Sequence, residues 1–207
     1  MGSVHVVFMG DSITAGQHIA SPKRWTDIVS DRLAHAYFDT EVTLRTSARG
    51  VSGDTTRLGL ERFPKDMQAL LPDVLAIQFG LNDCNCWVTD RGLPRVSPAA
   101  YHANLVEMIN RARKFGARRV ILSTNHPTLR ALDFAPYNQI VRDVAFLNDA
   151  VLCDIERAFD NVYRELREYL LPDQVHLNET GHRLYADAIY ALVAAAVRDV
   201  LSSRTRQ

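Results

Sequence analysis

Ser12, Asp173 and His176 are the residues whose types and spacing suit nucleophilic catalysis. A serine hydroxyl is a poor nucleophile until a neighbouring base takes its proton. A base that is neutral near pH 7 favours histidine, and a carboxylate must then hold the imidazole tautomer and stabilise the imidazolium. The segment Leu171-Pro172-Asp173-Gln174-Val175-His176 supplies that pair three residues apart, at the other end of the chain from Ser12. Each piece alone has a plainer meaning. A serine just past a strand usually caps a helix or makes a turn, and Asp-x-x-His is a common turn. Acyl transfer also needs hydrogen-bond donors aimed at the developing oxyanion. Ser52-Gly53-Asp54-Thr55 is a glycine turn able to present a backbone N–H, and Phe79-Gly80-Leu81-Asn82-Asp83 places a side-chain amide at a strand end. The serine segment, Gly10-Asp11-Ser12-Ile13-Thr14-Ala15-Gly16, is not a Gly-x-Ser-x-Gly nucleophile elbow, and that pattern occurs nowhere in the chain.

These residues need elements to carry them. Val4 to Met9 and Asp73 to Phe79 are apolar runs ending at Gly10 and Gly80, the pattern of strands covered on both faces. Glu41 to Thr46 alternates as a strand does, and Arg118 to Ser123 and Val151 to Asp154 add two more. Helical signals separate them. Ser21-Pro22 reads as an N-cap followed by proline, leading into Trp25, Ile28, Val29, Leu33 and Ala36 at helical spacing. Asp54-Thr55-Thr56 caps a helix through Leu58, Leu60 and Phe63. Ser97-Pro98 opens another that Gly116 ends. Further helices are expected near Tyr137–Leu147, near Ile155–Tyr169, and from beyond Asn178 to about Leu201. This alternation implies one α/β domain over residues 1–207, with a parallel sheet and helices on both faces. Ligands in such folds bind beyond the C-terminal strand ends, which puts Gly10, Gly80 and the loops after Thr46 and Thr124 on one edge.

Composition excludes several partners. Lysine plus arginine and aspartate plus glutamate are 24 each, so net charge gives no case for nucleic acid or an anionic membrane surface. No apolar run approaches the roughly 20 residues that span a bilayer. The N-terminus lacks the marks of a signal peptide, and a cytoplasmic protein is the expectation. Three cysteines, Cys84, Cys86 and Cys153, are too few for a disulfide framework, and Cys84-Asn85-Cys86 has no second pair at zinc spacing.

Taken together, Gly-Asp-Ser-Ile at 10–13, Ser-Gly-Asp-Thr at 52–55, Gly-Leu-Asn-Asp at 80–83 and Asp173-x-x-His176 resemble, in order, the blocks of the SGNH hydrolases, also called GDSL-type esterases and lipases. The resemblance runs from Val6 to about Tyr190. It implies a three-layer α/β/α domain of flavodoxin-like type, with a central parallel sheet of about five strands. It implies Ser12 as nucleophile, His176 as general base and then acid, and Asp173 as the group that orients it. The Ser12 and Gly53 N–H groups and the Asn82 amide would form the oxyanion hole. Asp11 and Asp83 would be architectural supports, and neither metal nor organic cofactor is implied. The expected activity is hydrolysis of a small-molecule carboxylic ester, or thioester, through an acyl-enzyme. Deacetylation of sugars or other polar acetyl esters is the alternative, and a catalytically silent binding domain is the alternative of another class.

Substrate contacts are sought at the same edge. Trp87 is a candidate pocket wall, Arg91 and Arg95 are candidate anion partners, and His126 follows a strand at the ligand edge. His5 falls in a strand, His35 and His102 in helices, and His182 at the start of the last helix, where it packs or caps.

Overall fold

The computed structural model describes residues 2–162 and 165–204. Its five strands are β1 (Gly2–Gly10), β2 (Val42–Gly50), β3 (Val74–Gln78), β4 (Arg119–Ser123) and β5 (Val151–Cys153). All pair in parallel in the order β2-β1-β3-β4-β5. Among the described residues seven α-helices accompany them: α1 (Ser12–Ala15), α2 (Trp25–Ala36), α3 (Thr56–Phe63), α4 (Pro98–Lys114), α5 (Ala135–Leu147), α6 (Ile155–Asp160) and α7 (Glu179–Arg204). No helix among the described residues is long and apolar enough to cross a membrane.

The period-two alternation of strand side chains builds both cores. Val4, Val6 and Phe8 of β1, Val74 and Ala76 of β3 and Ile121 of β4 face one cluster, with Trp25, Val29 and Leu33 of α2 and the buried stripe of α7. Val7 and Met9, Leu75 and Ile77, and Val120 and Leu122 face the other, with Leu105, Met108 and Ile109 of α4 and Val141 and Val144 of α5. The apolar runs are continuous because both faces of the sheet are covered, which gives the three layers expected from the sequence. The chain leaves β1 toward β2 and returns past it to β3. The crevice between the C-terminal ends of β1 and β3 is therefore the topological switch point.

Some elements differ from the sequence reading. The helix expected from Ser21-Pro22 begins at Trp25, whose backbone N–H donates to His182 Nδ1 at 3.2 Å. An imidazole from the last helix does the capping, a partner that no local pattern reveals. β2 extends to Gly50 because it pairs with β1 along its whole length. The helix expected over Ile155–Tyr169 stops at Asp160, where Asn161 donates its side-chain amide to the Arg157 carbonyl, and a 3-10 turn covers Leu166–Tyr169. Residues 163 and 164, within that expected span, lie outside the described residues. Two tyrosines anchor the ends of the polar loop 81–96. The Tyr101 and Tyr137 hydroxyls donate to the Phe79 and Val96 carbonyls at 2.8 and 2.6 Å.

Candidate active site

The turn after β1 sets Ser12 at the head of α1. The Asp11 carboxylate accepts the Ile13 N–H at 2.9 Å, capping the turn, and Gly16 closes it in the left-handed conformation. The turn sits close against two strand ends. A Cβ on Gly10 would fall 2.1 Å from Thr14 Oγ1, and one on Gly50 would fall 2.1 Å from the Ala15 nitrogen. Glycine at both positions lets α1 settle over β1 and β2. Below it, Thr14 donates to Gln78 Oε1 at 3.0 Å and Gln78 Nε2 donates to Asp11 Oδ2 at 3.3 Å.

The second and third blocks are tied to this turn. Arg62 donates to the Gly10 carbonyl at 2.9 Å while pairing with Asp54 at 2.6 Å. Asn82 donates one amide hydrogen to the Asp54 carbonyl at 3.0 Å. Asp83 accepts from the Thr56 backbone at 2.9 Å and from its hydroxyl at 2.5 Å, fixing the start of α3 against the Asn82 turn. Asp11 and Asp83 thus hold backbone in place. Burial pushes the Asp11 carboxyl up to about 7 and the Asp83 carboxyl up to about 6, against the pull of these hydrogen bonds.

The C-terminal loop brings the remaining pair across. His176 Nε2 lies 2.9 Å from Ser12 Oγ, and His176 Nδ1 lies 2.7 Å from Asp173 Oδ2. A carboxylate only accepts, so Nδ1 carries the hydrogen and Nε2 is free to accept from the serine hydroxyl. Asp173 Oδ1 also accepts the backbone N–H groups of Val175 and His176, each at 2.9 Å. Burial works to raise the Asp173 pKa, but these donors and the imidazole outweigh it and the carboxyl ends below its ordinary value. The ring of His18 stands edge-on to that of His176, with centroids 5.9 Å apart. A cavity of about 140 Å³ opens over these groups, lined by Ser12, Asn82, Asn85, Arg130, Leu132 and His176 among others.

The other expected residues fall differently. Gly53 is exposed at φ +84°, and nothing lies within 4 Å of a Cβ built there; its turn joins Asn82 through the Asp54 carbonyl. Trp87 and Arg95 line a separate cleft next to that turn. Arg91 is exposed in a left-handed turn residue (φ 52°) and lines neither cavity. His126 was expected at the substrate edge, but it is fully buried and lines neither the serine cavity nor the cleft beside it. Its Nε2 donates to the Val175 carbonyl at 2.8 Å, drawing it beneath the His176 loop, and burial lowers its pKa to about 4. His182, expected to pack or cap, does both: it is buried and closes α2. Arg130, Asn85, Leu132 and His18 were not singled out. The signal for Arg130 and Leu132 was their place in the loop after Thr124, on the ligand edge. Cys84 is buried and donates weakly to the Leu81 carbonyl at 3.4 Å; burial lifts its thiol to about 12.

A parallel sheet in this order, with a serine after β1, an asparagine after β3 and an Asp-x-x-His loop before the last helix, defines an α/β hydrolase of the SGNH type. The chain belongs to the GDSL-like lipase/acylhydrolase family, whose model matches residues 8–184. It is 31% identical over 125 residues to an arylesterase of Vibrio mimicus, covering 60% of this chain and 56% of that protein, so the match spans only about half of that relative's length. It is 27% identical over 206 residues to an acetylxylan esterase of Geobacillus stearothermophilus, covering 88% of this chain and 90% of that protein. Among solved structures, a lipase/acylhydrolase from Enterococcus faecalis superposes with a TM-score of 0.75 at 27% identity, covering 92% of this chain and 95% of the other.

Proposed function

We propose that the protein hydrolyses carboxylic esters by double displacement, with Ser12 as nucleophile. The observation that carries this reading is the continuous chain of contacts from Ser12 Oγ to His176 at 2.9 Å and on to Asp173 at 2.7 Å. In the first half-reaction His176 Nε2 takes the Ser12 proton as Oγ bonds to the acyl carbon. The same proton then passes to the leaving oxygen as its bond to carbon breaks. In the second half, water gives its proton to His176, its oxygen attacks the acyl-serine, and the proton returns to Ser12 as the acid departs. The Asp173 carboxylate stabilises the transient imidazolium. The oxyanion is received by the Ser12 and Gly53 N–H groups and by the Asn82 amide hydrogen that Asp54 leaves unused.

A second reading narrows the substrate to acetyl esters of polar alcohols. The small serine cavity supports it, at about 140 Å³ with Asn82, Asn85 and Arg130 on its wall. A fluorophosphonate probe tests the first reading: wild type should label and Ser12→Ala should neither label nor turn over p-nitrophenyl acetate. An unlabelled, inactive but folded wild type would sink it. A series of p-nitrophenyl esters of rising, unsubstituted acyl length, run beside acetylated sugars, tests the second: among these uncharged chains activity should peak at acetyl.

A further inference from the structure

A cleft of about 450 Å³ adjoins the serine cavity and shares no lining residue with it. Its walls come from two segments, 55–58 and 87–95, and include Leu58, Trp87, Leu93, Arg57, Arg95 and Asp90. Three observations mark it as built for a ligand. First, exposed apolar side chains gather there: Leu58, Trp87 and Leu93 line it, and Val51 and Val88 stand in or beside the same segments, all at least 37% exposed. Scattered exposed apolar residues need no explanation, whereas a gathered set beside a cavity marks a binding surface. Second, the Arg95 guanidinium stacks over the Trp87 ring at 4.7 Å, which holds the aromatic wall in place. Third, neither Arg57 nor Arg95 makes a direct ion pair among the described residues, and the one carboxylate that feels Arg95, Asp83, is buried and already held by Thr56. Asp90 is the one acid in the lining, leaving an excess of positive charge.

The cleft is joined to the reacting centre. Arg95 Nη1 donates to the Gly53 carbonyl at 3.0 Å, and Asn82, from the serine cavity, donates to the next carbonyl along, that of Asp54, at 3.0 Å. In the mechanism proposed above the turn receives the carbonyl oxygen and His176 the leaving oxygen, which leaves the acyl chain as the substituent for the adjoining cleft.

We propose that this cleft is an acyl subsite for chains with an apolar or aromatic stem and an anionic end, a carboxylate or a phosphate, which Arg57 and Arg95 receive. The inference rests on the reading of Ser12 as nucleophile. Guanidinium forks match both anions in geometry and give charge-assisted hydrogen bonds. The rim is exposed, so the attraction weakens with added salt.

The test compares p-nitrophenyl monoesters of adipic and suberic acid with their methyl-capped, uncharged counterparts, and with a hexanoyl ester ending in phosphate. In wild type at low salt the charged forms should exceed the capped ones roughly tenfold in kcat/KM, the order expected of a charge-assisted contact. The preferred end group tells carboxylate from phosphate. Arg57→Gln should bring the charged-to-capped ratio to within about threefold of unity, and Trp87→Ala should raise KM for charged and capped chains together. Equal rates for charged and capped esters in a wild type that turns over p-nitrophenyl acetate would overturn the subsite and leave the nucleophile reading intact. So would a preference that survives both Arg57→Gln and Arg95→Gln. A folded wild type that hydrolyses no ester at all would overturn both.

Discussion

Replacing His126 by leucine should cost catalysis more than it costs the fold. In the structure the Val175 peptide is held from both sides. Its N–H donates to Asp173 Oδ1 at 2.9 Å and its carbonyl accepts from His126 Nε2 at 2.8 Å. With Nε2 donating, His126 Nδ1 is left as a buried acceptor with no partner among the described residues. Leucine strands the Val175 carbonyl, a loss of about 1–3 kcal/mol, but also removes the stranded Nδ1, so the net destabilisation should be about 1 kcal/mol. Catalysis is more sensitive, because His176 is the next residue and must stay 2.9 Å from Ser12 Oγ. A displacement of about 1 Å can lower the rate on the order of 10²-fold. The expected outcome for His126→Leu is a kcat loss of about 10–100-fold with KM little changed and a slightly lowered melting temperature. His126→Gln places an amide N–H near the position of Nε2 and should recover most of kcat. The assay is steady-state hydrolysis of p-nitrophenyl acetate beside thermal melts. Wild-type kcat in His126→Leu would refute the reasoning. Equal losses in the leucine and glutamine variants would show that the hydrogen bond to the Val175 carbonyl is not what His126 supplies.

Three further outcomes follow from the site. Asn82→Ala should lower kcat by roughly 10²–10³-fold with a smaller effect on KM, because an oxyanion donor acts chiefly in the transition state; a change in KM alone would reassign it to substrate binding. Asp173→Asn should keep the shape of the loop but favour the wrong imidazole tautomer, with a loss on the order of 10⁴ in kcat; near wild-type turnover would leave Asp173-x-x-His176 as only a turn. Stability should change little between about pH 4 and 6, where Asp11 and Asp83 oppose His126 and His182, and His5, also lowered by burial, adds a small rise with pH. Asp11 and Asp83, raised by burial to about 7 and about 6, keep protons that the unfolded chain releases, so their contribution falls as pH rises. His126 and His182, lowered by burial to about 4 and about 3, refuse protons that the unfolded chain takes up, so theirs falls as pH falls. Asp83→Asn removes one of the falling branches, and stability by denaturant titration should then rise with pH by up to about 1.4 kcal/mol per unit in that window. A variant whose profile stays flat would show that Asp83 is ionised throughout.

The fold was legible because its signals are local and doubled. The continuous apolar runs of β1, β3 and β4 required cover on both faces, and Thr55 and Ser97 cap α3 and α4 as their sequence context implies, accepting from Leu58 and Ala100. Two helix bounds were not legible, one set by a partner remote in sequence and one by a local contact. Ser21-Pro22 carries a good helix-start pattern, yet the helix begins where His182, 157 residues away, can accept the Trp25 N–H. The expected long helix after β5 ends where a short-range contact, that of Asn161 with Arg157, closes it.

The site divides along the same line. Ser12, Asn82, Asp173 and His176 could be named in advance because each lies at a strand end or loop whose position the alternation of elements dictates, and because their blocks fall in the order of a known family. The role of His126 could not be named. A histidine in the loop after β4 reads as a ligand-edge residue, and only the depth of that loop turns it from the cleft to the underside of the His176 turn, fully buried against the Val175 carbonyl. Arg57 was invisible for the opposite reason. On a short amphipathic helix it reads as a solvated face, and its significance comes from the segment 87–95 folding over α3 and setting Trp87 and Arg95 beside it. The chemistry of the site is thus written in residues fixed by secondary structure. The proposed acyl subsite is built instead from residues fixed by how two segments pack, which is why the spacing of elements along the sequence did not reveal it.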